Sequence, residues 1–161
     1  EKKDLAADDA GPADAEVVEI DAEVIVDAAP PDANTADCEA LEPNDSLGTA
    51  IPVVGGDTDA AVCPGNDQDF YQFDLAANTD LILTLTADVG RPDANLDLRL
   101  FDAMGILQTE AIGTENPEVI SHTDAAGNAL PAGTYAIQVS SDDADLEVSY
   151  QLNIQLVPVT P

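Results

Sequence analysis

The sequence predicts an all-β protein: an antiparallel β-sandwich of seven to nine strands behind a disordered acidic N-terminal extension. Three observations carry that prediction. Beyond Cys38, apolar side chains recur at every second position in one run after another, as they do in strands with one buried and one wet face. Clusters of Gly, Pro, Asn and Asp separate the runs. No segment sustains the period of a three-turn helix, and short strands without intervening helices pack as sandwiches.

Residues 1–37 stand apart. They are built from Asp-Ala repeats ending near Pro30-Pro31, with twelve acidic residues and no aromatic one. This is the composition of a self-repelling, extended linker. Fully extended, such a linker reaches on the order of 100 Å. Within it, Val17-Val18-Glu19-Ile20 and Val24-Ile25-Val26 offer material for a short strand or a transient helix.

The domain is expected over 38–161. A short helical turn capped by Ser46 is expected from Ser46 to Ile51. Tyr71, Phe73 and Leu75 share one face of the run that starts at Asp69. Leu81, Leu83 and Leu85 alternate with Ile82, Thr84 and Thr86, and Leu96, Leu98 and Leu100 alternate with Asp97 and Arg99. Asp102-Ala103-Met104-Gly105 reads as a hairpin turn with Gly in the left-handed region. Asp124 to Asn128 and Pro131-Ala132-Gly133 are further turns. Tyr135, Ile137 and Val139 share a face, and the longest run carries Leu146, Val148, Tyr150, Leu152, Ile154 and Leu156.

Charge narrows the function. The chain has 33 acidic and four basic residues, a formal net charge of -29. Such a field repels nucleic acid and anionic membrane surfaces, and attracts cations, basic proteins and basic patches on a matrix. It disfavours close self-association at low salt, so a monomer is expected. No run approaches the ~20 apolar residues of a membrane helix, so no transmembrane segment is expected. The chain opens Glu1-Lys2-Lys3 without Met or an apolar leader, so this sequence is expected to lack a signal peptide.

Cys38 and Cys63 lie outside any CxxC motif, which leaves thioredoxin-like and zinc readings without support. They are read as a disulfide in an extracellular protein, against the alternative of two buried free thiols. A bridge between them would close a loop of about 25 residues, worth roughly 3–4 kcal/mol in the chain-entropy model.

The motif order after Cys38 resembles the bacterial pre-peptidase C-terminal domain family. The matching pieces are Glu42-Pro43-Asn44-Asp45-Ser46 with Ala50, then Asp67-Gln68-Asp69-Phe70-Tyr71-Gln72-Phe73, then Leu81 to Leu85. Asn95 to Asp102 with Gly105, and Pro131-Ala132-Gly133-Thr134-Tyr135 with Ile137 and Val139, complete the series. The resemblance implies a jelly-roll-like sandwich appended to secreted peptidases and other exported bacterial proteins, and not itself the enzyme. Its implied roles are substrate or matrix binding, assistance in secretion, and removal during maturation. The related collagen-binding modules of clostridial collagenases bind calcium through the segment before the first strand and the loop into the Asp-x-Asp strand. Those relatives carry Glu at the position held here by Ala40. A Cys-containing domain behind an Asp-Ala-rich linker also resembles bacterial surface lipoproteins.

The candidate cofactor is therefore calcium, with Glu39, Glu42, Asn44 and Asp45 after Cys38 and Asn66, Asp67 and Asp69 after Cys63 as candidate ligands. Calcium takes six to eight hard oxygen ligands, and these side chains supply them. A Cys38–Cys63 bridge would press the two clusters together, and a divalent ion would relieve their repulsion. The competing reading is a solvated acidic rim whose Asp and Asn residues start turns.

Catalysis has little material: one histidine, His122, on the side of Ile120 at a strand end, and no Gly-x-Ser-x-Gly elbow. Asp97 and Arg99 read as solvated cross-strand partners, and Gly55-Gly56 as a turn without the basic residue a phosphate loop needs. The expected function is a non-catalytic module, secreted or anchored at the outer surface, presented on a flexible tether. Its expected partners are an extracellular protein, a matrix or polysaccharide surface, or a fused peptidase domain. The alternative is a secretion or maturation segment of an exported peptidase, removed by processing and without a ligand of its own.

Overall fold

The computed structural model describes Cys38 and residues 41–88, 90–91 and 94–160. The acidic extension, its apolar patch at 17–26, Glu39 and Ala40 lie outside the described residues. Nine strands are described: β1 (Ile51–Pro52), β2 (Gly56–Val62), β3 (Gln68–Leu75), β4 (Thr79–Ala87), β5 (Asp97–Asp102), β6 (Leu107–Ala111), β7 (Glu118–His122), β8 (Gly133–Ser140) and β9 (Val148–Pro158). They form two sheets, one in the order β1-β3-β8-β5-β6 and the other β2-β9-β4-β7. All pairings are antiparallel except the short parallel contact of β1 with β3. Among the described residues no helix is long and apolar enough to cross a membrane.

Alternation decides which face is buried. On β4, Leu81, Leu83 and Leu85 are buried while Ile82, Thr84 and Thr86 are half-buried. On β9, Val148, Tyr150, Leu152 and Ile154 are buried between more exposed Ser149, Gln151, Asn153 and Gln155. Tyr71, Phe73 and Leu75 of β3, Leu98 and Leu100 of β5, and Tyr135, Ile137 and Val139 of β8 meet them from the other sheet in one apolar cluster. Period-two burial from both sheets is what a sandwich core requires.

The hairpin turn after β5 is as the sequence predicts. Gly105 has φ +76°, and its N–H donates to Asp102 O at 2.9 Å. Asp102 Oδ1 also accepts from the amides of Met104 and Ile106, which tightens the turn.

Three local expectations are corrected. Residues 46–49 form a single hydrogen-bonded turn, not a helical one; Thr49 N–H donates to Ser46 O, and the two hydroxyls bond each other at 2.9 Å. Side-chain oxygens that capture nearby backbone groups compete with helix propagation. Leu146 is buried but precedes β9, because its N–H closes a turn on Asp143 O. Asp97 is buried, not solvated: Arg99 binds it at 3.0 Å and also reaches Glu110 on β6 and Ser140 on β8. Burial pushes the Asp97 carboxyl up, and Arg99 offsets part of that shift. The cross-strand contact itself is as expected.

Leu83 lies on the central strand β4 between β7 and β9 with no exposed surface. Leu83→Ala is expected to cost about 2–5 kcal/mol in urea unfolding. Val119→Thr, on the half-exposed outer side of edge strand β7, is expected to change stability by less than about 0.5 kcal/mol.

Candidate functional site

Two chain segments meet at one end of the sandwich. The first contains Glu42 to Asp45, the second Cys63 to Asp69. A disulfide joins Cys38 to Cys63, with Cα atoms 5.7 Å apart. A backbone bond from Phe70 N–H to Asn44 O at 2.9 Å fixes the first segment against the start of β3. In the second segment Gly65 and Asn66 both have positive φ, a reversal that only Gly, Asn and similar residues make readily. The reversal returns Asp67 to the amide of Cys63, from which its Oδ2 accepts at 2.8 Å.

Asp69 is the unusual member. It is two residues before Tyr71, so the pleat turns it inward with Tyr71, Phe73 and Leu75, and it is 2% exposed. Tyr150, from β9 on the opposite sheet, donates its hydroxyl proton to Asp69 Oδ2 at 2.5 Å. Tyr71 lies 2.7 Å from the same Tyr150 oxygen. Tyr150 has one proton and gives it to Asp69, so Tyr71 is the donor in that second bond. The relay Tyr71–Tyr150–Asp69 thus links the two sheets through polar groups in an apolar core.

One carboxylate oxygen each from Glu42, Asp67 and Asp69 lie within 4.8 Å of one another. Like charges at that separation repel by about 3 kcal/mol per pair at an effective dielectric near 20. Asn44 is fully buried beside them, and both of its amide atoms lack a well-formed hydrogen bond. It still lies near enough to Asp69 to favour that group's charged form. Its own N–H donates to Glu42 Oε2 at 3.1 Å.

Burial, chiefly, pushes Asp69 up to about 7, reinforced by the charges of Asp67 and Glu42 and opposed by Tyr150 and Asn44. Burial also raises Asp67, with Asp45 adding to it and the Cys63 and Gln68 amides opposing. Burial, and after it the charge of Asp69, raises both tyrosines.

The donor set is carboxylate and amide oxygen, with no thiolate and no imidazole. That chemistry suits calcium or magnesium and not zinc or copper. A buried amide oxygen without a partner, Asn44 Oδ1, beside three converging carboxylates is the arrangement that a hard cation satisfies, while the Asn44 NH2 is a donor and is served by a carboxylate. Glu42, Asn44, Asp67 and Asp69 would hold it. Asp45 and Asn66 line the adjoining cavity of about 380 Å³ with Cys38, Cys63 and Glu42. Of the candidate ligands, only Glu39 falls outside the described region. Tyr150 and Tyr71 were missed; the available signal was that Asp69 has the parity of a core position and needs a buried polar partner.

Other candidates have different roles. His122 shares the inner side with Ile120, and its Nδ1 lies 2.9 Å from Asn128 O, so the ring anchors the turn after β7. That turn is a single 3-10 turn, Asp124–Ala126, capped by Thr123. A groove of about 500 Å³ at the start of β4 is lined in part by Asn78, Asp80, Leu130 and Pro131; its Asp80 accepts from the Asp124 amide at 2.7 Å.

Fold and site together define a two-sheet β-sandwich with an acidic oxygen cluster where the incoming chain joins β3. Residues 67–141 match the model of the bacterial pre-peptidase C-terminal domain, a non-catalytic domain family. The pre-peptidase C-terminal domain of a collagenase from Bacillus anthracis shares the fold, with 14% identity and a TM-score of 0.53 over 66% of this chain and 94% of that one. Aeromonas hydrophila PliG, a periplasmic inhibitor of g-type lysozyme, aligns with 15% identity and a TM-score of 0.47 over 66% of this chain and 95% of that one. No curated protein sequence matches significantly.

The resolved carboxylate shifts, at Asp67, Asp69, Asp97 and Glu118, are all upward. For Asp69 the unfolded chain ionises near 3.8 and the folded one near 7. Between those values the unfolded state holds fewer protons, so stability falls as pH rises, then levels off. In EDTA the protein is expected to be more stable at pH 4.5 than at pH 7.5. Asp69→Asn should remove part of that difference, on the order of 3–4 kcal/mol at most. Equal pH slopes for the two proteins in urea unfolding would show that Asp69 is not the group responsible.

Proposed function

We propose that the domain is a non-catalytic, extracellular accessory module whose fold is stabilised by calcium and which an acidic tether presents to a partner surface. The observation that carries this reading is the cluster of Glu42, Asp67 and Asp69 around the orphaned amide oxygen of Asn44. Hard oxygens converge there on one point, as cation binding requires.

Several features support the extracellular setting. A disulfide persists in oxidising compartments. The family is one of exported bacterial proteins, and extracellular fluid supplies calcium at the concentrations that modest sites need. Secretion or anchoring through an upstream lipid is consistent with a long acidic lead. Around the turn after β5, Leu47, Met104, Ile106 and Leu107 stay exposed and give a protein, matrix or polysaccharide partner apolar surface to cover.

Adding millimolar calcium to EDTA-treated protein should raise the melting temperature by several degrees, as a ligand at about 100 times its Kd contributes about 2.7 kcal/mol. Asp67→Asn should lose most of that rise. An unchanged melt in calcium, with the protein folded at the start, contradicts the reading.

A further inference from the structure

We infer that the Cys38–Cys63 disulfide and the cation site are thermodynamically coupled, so that the redox state of the bridge sets the affinity of Glu42, Asn44, Asp67 and Asp69 for a divalent cation. This rests on the calcium reading above and adds its regulation.

The ligand groups belong to two segments that their own charges drive apart. Glu42 follows Cys38 by four residues, and Asp67 follows Cys63 by four. The disulfide is therefore a covalent clamp placed one short leash from a carboxylate on each side. Its second arm is direct: the Cys63 amide holds Asp67 Oδ2 at 2.8 Å, so the half-cystine fixes the backbone that orients a ligand. Beyond the disulfide, the bond from Phe70 N–H to Asn44 O ties the two segments together. A neutral hydrogen bond is worth less than the repulsion between a single pair of these carboxylates.

Both cysteines are only partly buried and line the same cavity as Glu42, Asp45 and Asp67, so a small reductant reaches the bridge from the side of the site. A dithiol reductant supplies two electrons and two protons; the sulfur–sulfur bond breaks, two protein thiols form, and the reductant closes to its cyclic disulfide. The first segment then keeps its place through weaker contacts while the repulsion is unchanged. A cation that bridges the segments opposes their separation, so cation and disulfide favour the same state. Linkage is reciprocal: the factor by which the disulfide tightens cation binding is the factor by which the cation favours the disulfide over the dithiol.

Calcium is titrated calorimetrically into oxidised protein, dithiothreitol-reduced protein and Cys38→Ser/Cys63→Ser, with circular dichroism confirming the fold. The oxidised form is expected to bind at least tenfold more tightly than the other two. In parallel, wild-type protein is equilibrated in a dithiothreitol redox buffer with calcium or EDTA, and thiols are trapped by alkylation. Calcium is expected to shift that equilibrium at least tenfold toward the disulfide, and Asp67→Asn to abolish the shift; this arm stands even where the serine variant does not fold. Equal affinities within twofold, or a redox equilibrium indifferent to calcium, overturn the coupling while leaving calcium binding intact. No binding to the oxidised protein overturns the calcium reading and the coupling with it.

Discussion

Asp69 occupies a position that the pleat of β3 assigns to the core, and the end of the molecule around it answers to that one buried carboxyl. A carboxylate in an apolar sandwich has three ways to persist: hydrogen bonds, a proton or a cation. Tyr150 supplies the first from across the core. The upward shift to about 7 makes the second available at mildly acidic pH. Glu42, Asp67 and Asn44 would serve the third, because all three add oxygens, and the two carboxylates add negative charge, at a spot where charge already costs stability. An acidic rim built only for solubility has no reason to send a carboxylate inward.

That constraint also gives the disulfide a place in the account beyond loop closure. The bridge meets the domain where the repelling segments meet, four residues from a candidate ligand on each side. The family match begins at Asp67 and ends at Ser141, so it spans Asp67 and Asp69. It leaves out Glu42, Asn44, both cysteines and Tyr150. Half of the cluster therefore lies within the family's matched core and half on flanking segments, which the disulfide and the last strand bring to it.

The strands were legible because side chains alternate with a period that only extended chain produces. Leu81 to Leu85 and Val148 to Ile154 show this most clearly, and their burial follows the written pattern residue by residue. Gly105 was legible because a hairpin turn needs positive φ there. The candidate ligands were legible as two acidic clusters joined by a cysteine pair. What sequence did not show is what depends on contacts between sheets. Tyr150 reads as one more inward aromatic until its hydroxyl meets Asp69. Asn44 reads as one candidate ligand among seven, no different from its neighbours, until the chain buries it completely. Asp97 reads as solvated until Arg99 and two neighbouring strands cover it. In each case the pattern gave the face and not the partner.

The most direct measurement is anomalous diffraction from crystals of the oxidised protein grown with a lanthanide in place of calcium. The account predicts a strong peak at bonding distance from carboxylate oxygens of Glu42, Asp67 and Asp69 and from the Asn44 amide oxygen. A lanthanide found only among the exposed aspartates elsewhere, with Asp69 bonded to Tyr150 and nothing else, would contradict it.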